Sequence, residues 1–563
     1  MEQTPTLKTK DIDKHKIALS CGRLLLLTVL YCYLIAIFSF IVGSDIKVWF
    51  FPFSIITAIA TEFYFSGKRS IISALIYLCS LVTMLIITSL LDDASSDGIV
   101  YHQEIMVHLL NGWNPFYESV AGSPDPDLEL LVAHYAKGIE VMASIIAKFT
   151  GYINTGMSIN LMIIAGTGFI VFWFLDQKFE IDSKWKKLFL TLFFVMNPVG
   201  MAQCLTYYND YVGYYLILLI IAVWIYRHPL SKFQYLSLGC IIVVAASVKY
   251  TAFFYCGLTV LAIMLWEALH KKYSAAFKLG CFSLITALVS VFLLCYHPYV
   301  TNYLLAGHPC YPLMGDNPLD IMTGNTPEIY FHHNRFVNFF ISIFSISHPS
   351  YAPRFGGFGW FFGVILILAV GALVTGYLKK RINIVYIYSA TVALISCFIF
   401  PQTWWARYIP FLWLVPSIAM LAIINRKGIW RYCYITVISL GILSGMIFLA
   451  NQAKEDTQLS LSRHYLKKIV QDGVVGFNTD LLYNDNGEIN SKGVLSVGRR
   501  LDELGIRHYN SGIDPLNEGI RINVGGGLNV YINSSYLPKV ESMYNYPLLD
   551  KVFKTNMMYS VYP

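Results

Sequence analysis

Three carboxylates stand within six residues at Asp92, Asp93 and Asp97, and Gly98-Ile99-Val100-Tyr101-His102-Gln103-Glu104 follows them directly. A positioned carboxylate can take a proton from an attacking hydroxyl, so this stretch is a candidate for general-base work. A helix starting near Gly98 puts Tyr101, Glu104 and His108 on one face. Asp97 can equally cap that helix while Asp92 and Asp93 stay solvated, and spacing leaves both readings open. A second acid, Asp210, closes the stretch Asn197-Pro198-Val199-Gly200, Gln203 and Thr206-Tyr207-Tyr208-Asn209-Asp210-Tyr211. It is either a solvated turn acid or a carboxylate that orients an acceptor.

Cations complete the set. Lys137 lies in His134-Tyr135-Ala136-Lys137-Gly138-Ile139-Glu140, Arg354 in Arg354-Phe355-Gly356-Gly357, and Arg407 in Trp404-Trp405-Ala406-Arg407-Tyr408. At a membrane surface such groups bind phosphate oxygens, and flanking aromatics such as Trp404, Trp405 and Tyr208 can stack on sugar faces. Snorkelling and interfacial anchoring are the competing readings. His332 and His333 are adjacent rather than at helical ligand spacing, so no metal ligand is assigned.

These groups must be held by elements that the composition makes membranous. Of 563 residues, 56% are hydrophobic and only 13% charged, about half the charge of a soluble chain. Mean hydropathy is +0.55. A disordered chain and a disulfide miniprotein are excluded, and a purely soluble enzyme does not fit. The net charge of +7 forms no basic stripe on a water-facing domain, which argues against a nucleic-acid partner. About thirteen apolar stretches approach the ~20 residues of a spanning helix. They run over 22–42, 47–66, 70–91, 155–175, 187–206, 211–226, 234–250, 253–269, 276–297, 357–378, 382–400, 406–425 and 431–450. The first is read as a span rather than a cleaved signal. Lys8, Lys10, Lys14, Lys16 and Arg23, then Lys68-Arg69, Lys184 to Lys187, Arg227/Lys232, Lys271-Lys272, Lys379 to Arg381 and Arg426/Lys427/Arg431 mark inner turns. They alternate only if 131–150 lies along the outer interface, so the N-terminus is expected inside and the C-terminus outside.

The expected fold is thus an all-α polytopic membrane module over 1–450, with interfacial helices in its first outer loop and a small α/β domain over 451–563. The outer loops are 92–154 and 298–356. The tail balances 12 Lys+Arg against 12 Asp+Glu and carries turn signals at Asp485-Asn486-Gly487 and Gly525-Gly526-Gly527. Cys310 is the lone cysteine in an outer loop, so no disulfide framework is expected. The Asn533-Ser534-Ser535 sequon reads as an ordinary surface turn. Lys249 is the clearest ionisable residue inside a predicted span.

The chain resembles the GT-C superfamily of polytopic glycosyltransferases over most of 90–410. Asp97-Gly98-Ile99-Val100-Tyr101 is similar to the Asp-x-x-x-Tyr start of that family's first outer loop, where its catalytic acid sits. Lys137 resembles the lysine that precedes a Pro-Pro in aminoarabinose-to-lipid A transferases and protein O-mannosyltransferases, with Gly138 and Ile139 in place of the prolines. Asn197-Pro198 through Asp210 resembles the second acidic turn, and Ser247-Val248-Lys249-Tyr250-Thr251 a later segment. Trp404-Trp405-Ala406-Arg407-Tyr408 resembles an element of bacterial envelope-polysaccharide members.

The resemblance implies sugar transfer from a polyprenyl-phosphate donor to a lipid-linked glycan or envelope-polysaccharide acceptor, on the periplasmic face of a bacterial inner membrane. Asp97 would be the base and Asp210 would orient the acceptor. Lys137, Arg407 and Arg354 would bind the donor phosphate. Tyr101, His102, Glu104, Tyr208, Trp404 and Trp405 would line the substrate. No cofactor is required, and an Asp97–metal–Asp210 arrangement stays open. Other readings are a glycolipid flippase, which would use Lys249, and a polymerase or ligase with a diphosphate-linked donor.

Overall fold

In hydrocarbon a backbone must satisfy its own hydrogen bonds, so the apolar runs of this chain form helices. The computed structural model describes residues 9–120, 126–226, 229–346, 348–470, 475–477, 495–506, 508–510, 519–525, 528–532, 534–544 and 559–562. Lys8, Arg227, the Asp485-Asn486-Gly487 turn, Gly526-Gly527 and the sequon residue Asn533 fall outside the described residues.

Six described helices are long and apolar enough to cross a bilayer: Lys16–Ile41, Ile71–Leu90, Ile153–Lys178, Tyr250–Leu269, Tyr273–Leu294 and Ile429–Ile469. The pair Asp127–His134 and Gly138–Thr150 turns through 81° and would make a seventh if read as one span. The expectation of thirteen full spans is therefore corrected. Phe50–Ser66, Val212–Tyr226, Lys232–Val248, Phe362–Leu378, Ile384–Ser396 and Pro410–Ile423 have 10–17 residues. At 1.5 Å per residue the longest of these reach about 26 Å, at the short end of the ~17–25 residues that a crossing takes. The stretch 187–206 breaks altogether. Helix Lys184–Val195 ends, and Pro198, without an N–H to continue it, begins the short helix Pro198–Gln203.

The first helix packs along Ser158–Lys178, and Val212–Tyr226 packs between Lys232–Val248 and Tyr250–Leu269. One contiguous apolar core joins them. Outward faces stay apolar, as at Leu75, Val82, Ile86, Leu261, Leu265 and Leu284; in a soluble fold such faces would be a liability. This is a largely helical membrane protein.

The expected boundary at 450 lies inside a helix. Ile429–Ile469 runs straight through it for 41 residues. The described tail holds helices Leu495–Glu503 and Leu537–Tyr544, a parallel pair Val475–Phe477 with His508–Asn510, and an antiparallel sheet in the order Leu528–Ile532, Gly519–Gly525, Tyr559–Tyr562. Its buried apolar residues, among them Val497, Leu501, Ile520 and Ile532, cluster with Leu459 and Leu466 of the long helix and with Ile99, which follows the acidic stretch Asp92–Asp97. A separate α/β domain is thus not what the described residues form; the tail is built onto the end of a helix and onto the acidic loop.

Lys249 also moves. It is not inside a span but between Lys232–Val248 and Tyr250–Leu269, in extended backbone at φ −163° and ψ 141°. The break turns its side chain toward Asp210.

Candidate functional site

The acidic loop leaves Ile71–Leu90 in extended backbone and re-enters helix at Gly98, through a π-turn over Gly98–His102 that leads into Gln103–Leu110. Gly98 is required there, because a Cβ would collide with the Asp93 carboxylate and the Ser95 hydroxyl. Asp97 occupies the N-cap position but makes no side-chain cap. Its carboxylate is instead 3.2 Å from the Arg407 guanidinium, and about a third of its side chain (32%) is exposed.

Arg407 is nearly buried. Its Nε lies 3.7 Å from the second acid, Asp210, whose other oxygen is ion-paired with Lys249. Gln203 Nε2 donates to Asp210 at 3.2 Å. Burial alone would raise the Asp210 carboxyl, but Lys249 and Arg407 beside it hold it below the ordinary carboxylate range. The guanidinium is enclosed by the rings of Trp405, Tyr208 and Tyr408, at 4.4, 5.1 and 5.2 Å from their centroids. Two acids, two cations and three aromatics thus converge from four separate segments. Asp97 is the accessible end of the chain Asp97–Arg407–Asp210–Lys249.

Tyr351, from the segment 298–356, packs against this cluster. The Ser96 N–H donates to its hydroxyl at 3.4 Å, Gln203 donates to its carbonyl at 3.0 Å, and its ring lies 5.1 Å from Tyr208. Two clefts lie elsewhere, one lined by Ile217, Tyr255 and Phe411, the other by Trp224, Glu267 and Lys271. Neither is lined by Asp97, Asp210 or Arg407.

Lys137 sits at the 81° bend, 4% exposed, and does not snorkel. Its ammonium donates to the Ala133 and Tyr135 carbonyls at 3.0 and 2.7 Å and to His297 Nε2 at 2.9 Å. Those are all three donors an ammonium has. His297 must therefore accept at Nε2, which leaves its Nδ1–H for the Thr301 hydroxyl at 2.9 Å. Burial and the neighbouring Lys137 hold this imidazole well below its usual pKa. Burial pushes Lys137 down to about 7, opposed by Glu140. Gly138 explains why no proline follows Lys137. A Cβ at Gly138 would stand 2.7 Å from the backbone carbonyl of Ser247, so the bend rests on the last turn of Lys232–Val248, two residues before the break at Lys249.

No protein-family model matches the chain, and no curated protein matches it. The site is therefore read from its own geometry.

Other sequence candidates have different surroundings. Tyr101 is buried between His102 and Tyr135, and His102 is bonded to Glu140. Glu104 has different partners from Tyr101. It accepts from the Ser496 N–H at 2.7 Å, and burial raises it to about 7. Trp404 stacks on both Tyr330 and Trp405, and both tryptophans are buried, so neither presents a free face to a sugar. Arg354 is exposed and donates to Asn325 at 2.9 Å; it does not join the Arg407 cluster.

Asp92 and Asp93 are not solvated. Asp92 pairs with Arg463 at 2.7 Å and Arg500 at 2.5 Å. Burial would raise its carboxyl, but the two guanidiniums hold it low. Asp93 accepts from Ser95 N–H and from Tyr207 N–H at 2.8 and 3.0 Å, and burial raises it. The tail helix Leu495–Glu503 thereby clamps the acidic loop. Arg500 also donates to Gln103 at 3.1 Å, and Ser496 Oγ donates to the Ile99 carbonyl at 2.9 Å. Residue type and local spacing do not single out Arg500, Arg463 or Tyr351; Arg500 lies 408 residues from its partner Asp92. Among the described residues no group of three or more His, Cys, Asp or Glu is arranged to hold a metal ion.

Proposed function

We propose that the protein is a membrane glycosyltransferase of the GT-C type, moving a sugar from a polyprenyl-phosphate carrier to a lipid-linked glycan or envelope-polysaccharide hydroxyl. The observation that carries this reading is the part-exposed Asp97 carboxylate held on a buried guanidinium that a second acid and a lysine back up. Such an arrangement supplies a base and a phosphate cation side by side.

In the proposed reaction the donor phosphate takes over Arg407 from Asp97. The acceptor hydroxyl gives its proton to the freed Asp97 carboxylate as its oxygen bonds to the anomeric carbon. The bond from that carbon to the phosphate oxygen breaks, and the leaving phosphate keeps the electron pair. Arg407 stabilises the charge that develops on it, the role in which a preplaced cation contributes most. Asp210 keeps Arg407 in place and, in this reading, helps orient the acceptor.

The finer topology belongs to the same proposal and needs the shorter apolar helices, Phe50–Ser66 first among them, to cross as well: N-terminus inside, acidic loop and tail on the outer, periplasmic face, with 131–150 along the interface. The 81° bend at Lys137 fits an interfacial segment better than a straight crossing. Lys249, on which a flippase reading would rest, is paired with Asp210 in the same cluster.

The test is an in vitro transfer assay with purified polyprenyl-phosphate sugars. Asp97→Asn should abolish product while the protein stays folded and inserted. Full activity of that variant would remove the assignment.

A further inference from the structure

The second outer loop contains a ten-residue helix, Arg335–Phe344, in which Asn338, Phe339, Ser342 and Ile343 are buried. Phe336, Phe340 and Phe344, at i, i+4 and i+8, form its opposite face and are 57%, 42% and 50% exposed. Their rings follow one another along it, Phe336 edge-on to Phe340 at 4.9 Å between centroids and Phe340 near-parallel to Phe344 at 6.4 Å. At about 15 Å long this helix cannot cross a bilayer.

Both ends of the aromatic row continue into apolar helices. Phe336 stacks on Phe398, just past Ile384–Ser396, whose neighbours Ile395 and Ile399 are exposed. Phe344 lies on Gly363, in the first turn of Phe362–Leu378, where a Cβ would meet its ring at 2.6 Å; Val364 and Ile367 of that helix are exposed. The short helix therefore lies across the ends of two apolar helices, and the three exposed faces form one apolar surface. His332, His333 and Arg335 stand at its start. An amphipathic helix with a basic start and an aromatic face suits the boundary between headgroups and acyl chains.

We propose that Arg335–Phe344 lies in the outer-leaflet interface with Phe336, Phe340 and Phe344 among lipid acyl chains. Its inner face holds the turn that carries Arg407. The Ser342 hydroxyl donates to the Trp404 carbonyl at 2.5 Å, the Thr403 hydroxyl donates to the Arg335 carbonyl at 2.7 Å, and Gly356 N–H donates to the Ser342 carbonyl at 3.0 Å. The helix thus fixes the Arg407 turn at headgroup depth, where the phosphate of any membrane lipid lies. The inference goes beyond glycosyl transfer, and only its choice of the outer leaflet rests on the proposed topology.

The test places the photo-crosslinker p-benzoylphenylalanine at Phe340, at Phe344 and at the buried Phe339, in the full chain reconstituted into phosphatidylethanolamine/phosphatidylglycerol vesicles. After irradiation, lipid adducts are read by mass spectrometry and protein adducts by gel. Lipid adducts several-fold above the Phe339 level at either outward position support the proposal. Dimer formation from those positions would assign the face to a second copy instead. Adducts at neither outward position, or equal adducts at Phe339, overturn it. If one outward variant fails to insert, the other carries the same comparison.

Discussion

Arg407 is the residue on which the proposed chemistry turns, because it touches both acids and is walled in by three rings. Its planar fork addresses Asp97 and Asp210 from fixed positions, whereas a lysine would offer a compact charge on a flexible stem. Arg407→Lys should lower kcat by roughly 10²-fold, the usual scale for losing one preplaced electrostatic stabiliser, with the protein still inserted. Activity within a few-fold of the parent would separate Arg407 from the reaction. For Lys137 the expectation concerns the donor. Its pKa is pushed down to about 7, so the ammonium form is lost as pH rises through that value. Donor KM should climb above pH 7, and Lys137→Ala should raise it about tenfold, equivalent to ~1.4 kcal/mol, and remove the climb. A KM that stays unchanged in Lys137→Ala would leave the lysine a purely structural role, as a tie between two carbonyls and His297.

At the scale of elements, the helix Leu495–Glu503 is the part that holds the acidic loop. Asp92 meets two guanidiniums, one from the long helix and one from this segment. Removing Arg500 leaves Asp92 and Gln103 short of a partner; breaking such a pair costs about 3–5 kcal/mol where the site is buried. Arg500→Ala should therefore loosen the tail, seen as faster limited proteolysis near 495–503, and lower kcat with little change in donor KM. Arg500→Lys should recover part of both. Proteolysis that speeds up without any loss of kcat would mean the clamp serves stability alone. Gly98 and Gly138 act at the same scale: each is a place where a side chain would displace the loop or the bend that presents a charged residue.

For the whole molecule, the arrangement predicts sidedness. With both acids, Lys249, Arg407 and the tail on one side, reporters fused after 563 and within 298–356 should be active outside the membrane, and those after 381 or 427 inside. A tail reporter active only inside would reverse the proposed orientation and put the site at the cytoplasmic surface. The short apolar helices matter here as well. Several of 10–17 residues end near the cluster, and their breaks at Pro198 and Lys249 supply the loops that the polar groups need.

The acids, the cations and the aromatic turn were legible from residue type and position, and so was a membrane-embedded helical chain. Apolar runs and their basic flanks are local signals, and lipid forces the backbone inside such runs to be helical. Asp97, Asp210 and Arg407 were chosen from sequence and do meet. Trp404, Glu104 and Arg354 were chosen by the same kind of reasoning and do not, because a residue's type says nothing of which face its neighbours occupy. Nor did local pattern reveal that Asp92 is neutralised by Arg500, that Lys137 spends its three donors on protein, or that Lys249 leaves its helix to meet Asp210. Those facts depend on contacts between segments tens to hundreds of residues apart, in an interior where an unpaired charge is too costly to leave alone. The sequence by itself determined which charges exist and that the membrane would exclude them from most of the chain. Only the tertiary structure decided which opposite charge each one found.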